Sequence, residues 1–505
     1  MPFPLVNSIA SWFLKKRIHQ MELFLKYPNE VQHELLFKLL KTAKNTEFGK
    51  AYEFETIKSY REFTQRVPIR NYEEVEPFIT RSRMGESNIF WPSEIKWFAK
   101  SSGTTNAQSK FIPVSSQSLE DCHYAASKDL LCVYLNNNEG SELFKGKGLR
   151  LGGSKQLYEQ NGTFYGDLSA ILIDNMPFWA EFSSTPSNQV SLMSDWEIKM
   201  KAIVAETLSD NVTSLAGVPS WMLVLLNEVM TQKGVENLTE VWKNLEVYFH
   251  GGVSFTPYKE QYKKIMPSGF KYYEIFNASE GFFALQDQNN SSELLLMLDY
   301  GIFYEFIDMD TYHSPTPKVI PLSEVELGKN YAIIITTNAG LWRYKVGDTI
   351  RFTNLSPYRI KVTGRTKHFI NVFGEELIIE NTEEALSKVC AQTGAEVKDY
   401  SVAPIFMEGN QKGAHEWMVE FKKYPQDVAV FSELLDKELQ YLNSDYEAKR
   451  NQNITLNPLV FNVARSGLFY DWLKSKNKLG GQHKVPRLSN SRAYLDELIV
   501  CNKVC

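Results

Sequence analysis

"LEVYFHGG", Leu245–Gly252, fixes the class of this chain. It reads as a buried strand running into a glycine turn, and "VTSLAGVP", Val212–Pro219, reads the same way. The neighbouring segments "SLEDCHYAASKDLLCVYL" and "DWEIKMKAIVAETLSD" carry helical periodicity. Strands alternating with helices imply an α/β domain, and in such sheets ligands collect where the strands end at their carboxyl side. The turns after these strands are therefore the first places to look for chemistry.

Working outward, the chain from Ile9 to about Ala43 keeps helical spacing, and helices broken at Pro68 and Pro77 continue to about Met84. Between Glu293 and Val362 the texture turns strongly β, as in "ELLLMLDYGIFYEFID" and "YAIIITTNAGLWRY", which suggests a curled antiparallel sheet or small barrel. Beyond Arg365 a helix, two strands, a helix and a last strand and helix suggest a compact α+β domain. The expected division is 1–366 and 367–505, with the junction near Lys367.

The 505 residues are 43% hydrophobic and 23% charged, with a net charge of −5, a composition that suits a globular protein with a large core. No basic block invites nucleic acid. Five scattered cysteines, Cys122, Cys132, Cys390, Cys501 and Cys505, argue against a disulfide framework and for a reducing compartment. No apolar run nears the roughly 20 residues that span a bilayer, so the expectation is a cytoplasmic protein without a membrane partner. "GSELFKGKG" from Gly140 imitates a mononucleotide P-loop, but it is one residue too long and lacks the Ser or Thr after Lys147.

Five polar turns carry candidate chemistry. "KSSGTTNAQSKFIPVS", Lys100–Ser115, gathers backbone N–H groups and hydroxyls of the kind that wrap an anion, although such clusters also form plain turns. Gly251 and Gly252 offer bare backbone to a flat ring, or simply a tight turn. In "YYEIFNASEGFFALQ", Glu280 either needs a cation such as Mg2+ or is solvated behind a helix-capping Ser279. Asp348 in "LWRYKVGDTIRF" could accept both hydroxyls of a ribose or sit in a hairpin turn. Arg365 in "VTGRTKHFINVFGEEL" suits bidentate phosphate or ribose contact.

Together, "SSGTT", "HGG", "FNASE", "YKVGD" and "GRTKHFINVFGEEL", in that order, resemble the signatures of the adenylate-forming superfamily. With "TEFGKAY", "GVPSWM" and "GGQHKVPRLS", the chain is similar to the acyl acid amido synthetases of plant auxin and jasmonate conjugation and their bacterial relatives, from about Thr46 to Leu488. The resemblance implies a large N-terminal domain of α/β sheets plus a barrel-like part, and a smaller mobile C-terminal α+β domain. It implies an ATP- and Mg2+-dependent ligase that activates a small carboxylic acid as its adenylate and transfers the acyl group to the amine of an amino acid. A coenzyme A acceptor and a non-catalytic binding protein are the rival readings.

By matching motif, Ser101, Ser102, Gly103, Thr104 and Thr105 would hold phosphate, while Gly251, Gly252, Phe276, Asn277, Ala278 and Ser279 would border the nucleotide. Phe276 stands where the family has tyrosine, and Asn277 replaces a smaller residue. Glu280 would bind the metal, Asp348 the ribose, and Arg365 ribose or phosphate. Lys367 would be the hinge, and Lys484 in "GGQHKVPR" the cation delivered to the reacting groups. From position alone, Val218, Trp221 and Phe282 would line the acyl pocket, within Tyr124–Leu131, Val218–Trp221 and Phe282–Leu285.

Overall fold

The structure is a computed structural model that describes residues 17–101, 110–152, 158–176, 181–193, 196–253, 255, 258–312, 314–366, 369–375, 377–408, 411–450, 456–476 and 486–503. Its centre is a twelve-stranded sheet. One half is parallel: Ser184–Thr185, Lys147–Arg150, Val212–Gly217, Val247–Gly251 and Lys271–Ala278 lie side by side in that order. Both segments read as buried strands are among them, the helices Ala125–Asn137 and Trp196–Thr207 come from the two segments read as helical, and a further helix, Pro219–Lys233, connects the two strands. The parallel strands finish along one edge, so Arg150, Gly217 and Gly251 end neighbouring strands.

The β-rich segment continues this same sheet. Gly281–Leu285, Leu294–Leu296, Tyr358–Arg365, Tyr344–Leu355, Asn330–Thr337, Ile302–Asp308 and Val319–Pro321 follow Lys271–Ala278, each pair antiparallel. The hairpin at Ala278–Gly281 is what joins the two halves, and it carries Glu280 at its tip. A second, four-stranded sheet pairs Trp97–Ser101 with Lys110–Val114 in a hairpin whose base is the Ser101/Lys110 pair. Ser102, Gly103, Thr104 and Thr105 follow Ser101 in the sequence and lie outside the described residues.

Helices precede these sheets, with one departure from expectation. Pro77 does not break its helix but sits inside Tyr72–Arg83. A capping box at Asn71 and Glu74 closes the first turn (2.8 and 3.1 Å), and Tyr72, Val75, Ile79 and Ser82 bury one face, which outweighs the bond that proline removes. The C-terminal residues form the expected smaller α+β unit: Glu396–Ile405, Ala414–Lys423 and Val460–Ala464 make a three-stranded sheet, accompanied by helices that include Ile379–Thr393, Val428–Leu442 and Leu468–Ser475. One buried cluster joins this unit to the parallel half through Tyr258, Tyr262, Ile370, Val372, Phe373 and Trp417, and the Tyr258 hydroxyl donates to the Val372 carbonyl at 3.0 Å.

Candidate nucleotide and acyl site

Asp348 and Arg365 face each other across two paired strands, and Arg365 Nε donates to Asp348 Oδ1 at 2.7 Å. Gly347–Asp348 is no hairpin turn. It lies in a bulge of Tyr344–Leu355, where Lys345 to Thr349 spans only Ile334 to Ala332 on the neighbouring strand, and Gly347 takes a φ of +97° that a side chain resists. The bulge re-aims Asp348 towards Arg365.

Glu280 sits in the two-residue turn between Ala278 and Gly281, so Ser279 caps no helix. Its carboxyl is pushed above the usual carboxylate range, first by burial and further by the charge of Asp348, against the pull of Lys110, its own backbone N–H and Arg365. The Tyr344 hydroxyl lies 3.5 Å from Oε1 and is held protonated by burial and by the Glu280 charge. Glu280, Asp348, Arg365, Lys110 and Tyr344 thus share one electrostatic neighbourhood. Because Lys110 pairs with Ser101, the base of the Ser/Gly/Thr hairpin stands beside it.

The glycine turn approaches from the parallel half. A Cβ on Gly251 would lie 2.6 Å from the Ile275 carbonyl oxygen and 3.4 Å from Asn277 Oδ1. Gly252 has a φ of +83°, and its Cβ would meet Val218 at 3.4 Å. Only bare backbone fits, and it brings three expected segments together. His250 beneath the turn is buried, stacks on Phe255 with ring centres 4.2 Å apart, and is kept neutral by burial, its pKa pushed down to about 3. Phe276 is buried with its ring 5.0 Å from Phe283, so the partly exposed groups of this stretch are Asn277 through Glu280.

The expected acyl residues divide. Val218 meets the glycine turn, whereas Phe282 packs in the core, its ring 6.0 Å from Tyr300 and its N–H on Cys122 Sγ at 3.2 Å. Trp221 points to the C-terminal unit, where the Lys449 ammonium stands 4.6 Å above its ring. Lys449 also supports the Asp167 carboxylate, together with Lys100 and Lys199. Buried Lys199 donates to the Gly152 carbonyl at 3.0 Å, and burial pushes its pKa down to about 8 against the pull of Asp167. Lys367 and Lys484 lie outside the described residues.

Sequence reasoning passed over Lys110, Tyr344, Asp167, Lys199 and Lys449. Lys110 and Tyr344 stand within the quoted motifs and carry a signal there. The other three lie far apart in sequence and share no motif.

The GH3 family N-terminal domain matches residues 17–269, the central domain 295–365 and the C-terminal domain 380–493. The chain belongs to the GH3 family. Among its GH3 relatives, the indole-3-acetic acid-amido synthetase GH3.4 of Arabidopsis thaliana is 24% identical, over 94% of this chain and 91% of the relative. The 4-substituted benzoates-glutamate ligase GH3.12 of the same plant is 23% identical, over 93% and 94%. Among solved structures, the acyl acid amido synthetase AtGH3.15 in complex with 2,4-DB superposes with a TM-score of 0.63 at 16% identity, over 97% and 96%. A 2-hydroxyisobutyryl-CoA ligase in complex with 2-HIB-AMP and CoA gives 0.58 at 14%, over 94% and 92%, so the fold is shared with that ligase.

Proposed function

We propose that this GH3 protein is an ATP-dependent acyl acid amido synthetase. A small carboxylic acid attacks the α-phosphorus of ATP, pyrophosphate departs, and the amine of an amino acid then attacks the acyl carbonyl, releasing AMP and a proton. The observation that carries this reading is the convergence of Glu280, Asp348, Arg365 and the base of the 101–110 hairpin on one neighbourhood, with the glycine turn on the strand next to the one that leads to Glu280. Family membership and the amido synthetase relatives support it.

In this reading Asp348, held by Arg365, accepts the ribose hydroxyls, and Gly251, Gly252 and Asn277 border the base. Residues 101–105 wrap the phosphates, and Val218 and Trp221 wall the acid. The oxygens of Glu280 fit a hard cation, because burial and the Asp348 charge outweigh the pull of Lys110 and Arg365, and Mg2+ would supply the balancing positive charge for both carboxylate and phosphate. Bound there, Mg2+ would neutralise the charge of the departing pyrophosphate. Among the described residues no three His, Cys, Asp or Glu cluster as a metal cage, so in this reading phosphate and water supply the other ligands.

The reading includes a C-terminal unit, 367–505, that turns about Lys367 and brings Lys484 to the acyl and phosphate groups, and a cytoplasmic setting. Among the described residues no helix is long and apolar enough to cross a membrane. The direct test is acid-dependent pyrophosphate exchange: Glu280→Ala should lower it by about a thousand-fold with the melting temperature kept. Unchanged exchange would remove Glu280 from the metal site. Product formation with amino acids but not with coenzyme A separates the amido synthetase from a thioester-forming ligase.

A further inference from the structure

Arg150 ends the strand Lys147–Arg150, in register with Ala216 and one residue short of the Gly217–Val218 turn. Its neighbour Leu149 is buried in the same cluster as Leu215 and Tyr248, so by strand alternation Arg150 faces the other side of the sheet. There Nη1 meets Met176 Sδ at 2.8 Å, just past the helix Leu168–Asp174. Nε and Nη2 are buried and have no hydrogen-bond partner. Glu181 contributes charge but no hydrogen bond. A buried guanidinium with two idle donors is costly and calls for a missing acceptor.

Nε and Nη2 form one edge of the guanidinium, with parallel N–H bonds spaced to match the two oxygens of a carboxylate. The strand end is firmly held, since Lys199 binds the Gly152 carbonyl and a Cβ on Gly152 would lie 3.0 Å from Ile173. Resting on the ligase reading above, we infer that Arg150 seats a substrate carboxylate that is not itself activated. That carboxylate comes from a second acid group on the acyl substrate or from the α-carboxylate of the amino acid acceptor. Both share the chemistry; the experiment separates them.

Purified full-length wild type, Arg150→Met and Arg150→Lys are melted with glutarate or butyrate, and with L-alanine or L-alaninamide. A wild-type response to glutarate over butyrate, lost in Arg150→Met and partly kept in Arg150→Lys, assigns the acyl side. The same pattern for L-alanine over L-alaninamide assigns the acceptor side. In turnover, Arg150→Met should raise KM for the matching carboxylate-bearing substrate about 30-fold, with little change for the one lacking it. Arg150→Met should also melt no lower than wild type without ligand, since the guanidinium it removes has idle donors. Equal responses of wild type and Arg150→Met to all four probes overturn the inference. The melting arm holds whether or not any acid supports pyrophosphate exchange, and absent exchange in wild type would count against the ligase reading instead.

Discussion

Arg343 and Arg365 both meet a carboxylate on the antiparallel half of the sheet, but in different settings. Arg343 is buried and grips both oxygens of Glu305 at 2.8 to 3.2 Å. Its Nη1 donates to the carbonyls of Thr64 and Val67, and the Tyr60 hydroxyl donates to Glu305 at 2.9 Å. The pair bolts the helical entry segment to the sheet. Arg365 keeps 22% of its side-chain surface open and meets Asp348 through Nε beside Glu280. A fully buried pair holds architecture; a partly exposed one near other charges can take a ligand. The buried pair is positioned by packing on every side, whereas a strand bulge positions the open one.

The comparison can be broken in four ways. Glu305→Ala strands a buried cation and should cost about 3–5 kcal/mol in denaturant unfolding, with ATP affinity per folded molecule unchanged. A loss of ATP affinity at full stability would make Arg343 part of the site. Lys199 offers the next largest effect. Its ordinary pKa of 10.5 falls to about 8 in the folded chain, so between those values the unfolded chain binds a proton that the folded one rejects. The penalty is full below pH 8 and fades as pH rises, so wild type should gain about 3 kcal/mol on Lys199→Met from pH 8 to 10.5. Parallel stability curves for the two proteins would show a lysine that is not penalised.

Asp348→Asn should raise KM for ATP about 30-fold, near 2 kcal/mol, with the melting temperature kept within a few degrees. Were it to act like Glu305→Ala, losing stability with normal affinity, the distinction between the two pairs would disappear. The smallest effect belongs to the helix interrupted by Pro77: Asn71→Ala removes the capping box and should lower stability by about 1 kcal/mol. Thermal unfolding alone reads it, since kinetics should stay as in wild type.

Much of the fold was legible. Val247–Gly251 and Val212–Gly217 are strands because short runs rich in apolar residues and ending in glycine leave few alternatives. The C-terminal strands and the helices Ile379–Thr393, Val428–Leu442 and Leu468–Ser475 fall on the marked segments, whereas the helices Ser444–Arg450 and Ala493–Lys503 were not marked. Pro77 misled because a capped, half-buried helix tolerates a proline that local propensity forbids. The β-rich segment was legible as antiparallel, but its continuity with the parallel strands was not, since that depends on one hairpin at Ala278–Gly281. Within the site, Glu280, Asp348, Arg365 and the glycines were marked by their turns. Lys199, Asp167 and Lys449 were not, because an isolated lysine or aspartate has the same local signature on a solvated surface as in a buried cluster.

The amino-acid order by itself determined the types and succession of elements and which turns are rich in donors and carboxylates, since these follow from short-range spacing. Only the tertiary structure decided that the turns meet, that Asp348 sits in a bulge opposite Arg365, that Phe276 and Phe282 go to the core, and that Arg150 keeps two donors idle. The reason is physical: burial and charge–charge distance are properties of space, set by strands and side chains that meet from well-separated parts of the chain, such as Trp97 with Phe164 and Leu294 with Ile360, and no local stretch encodes them.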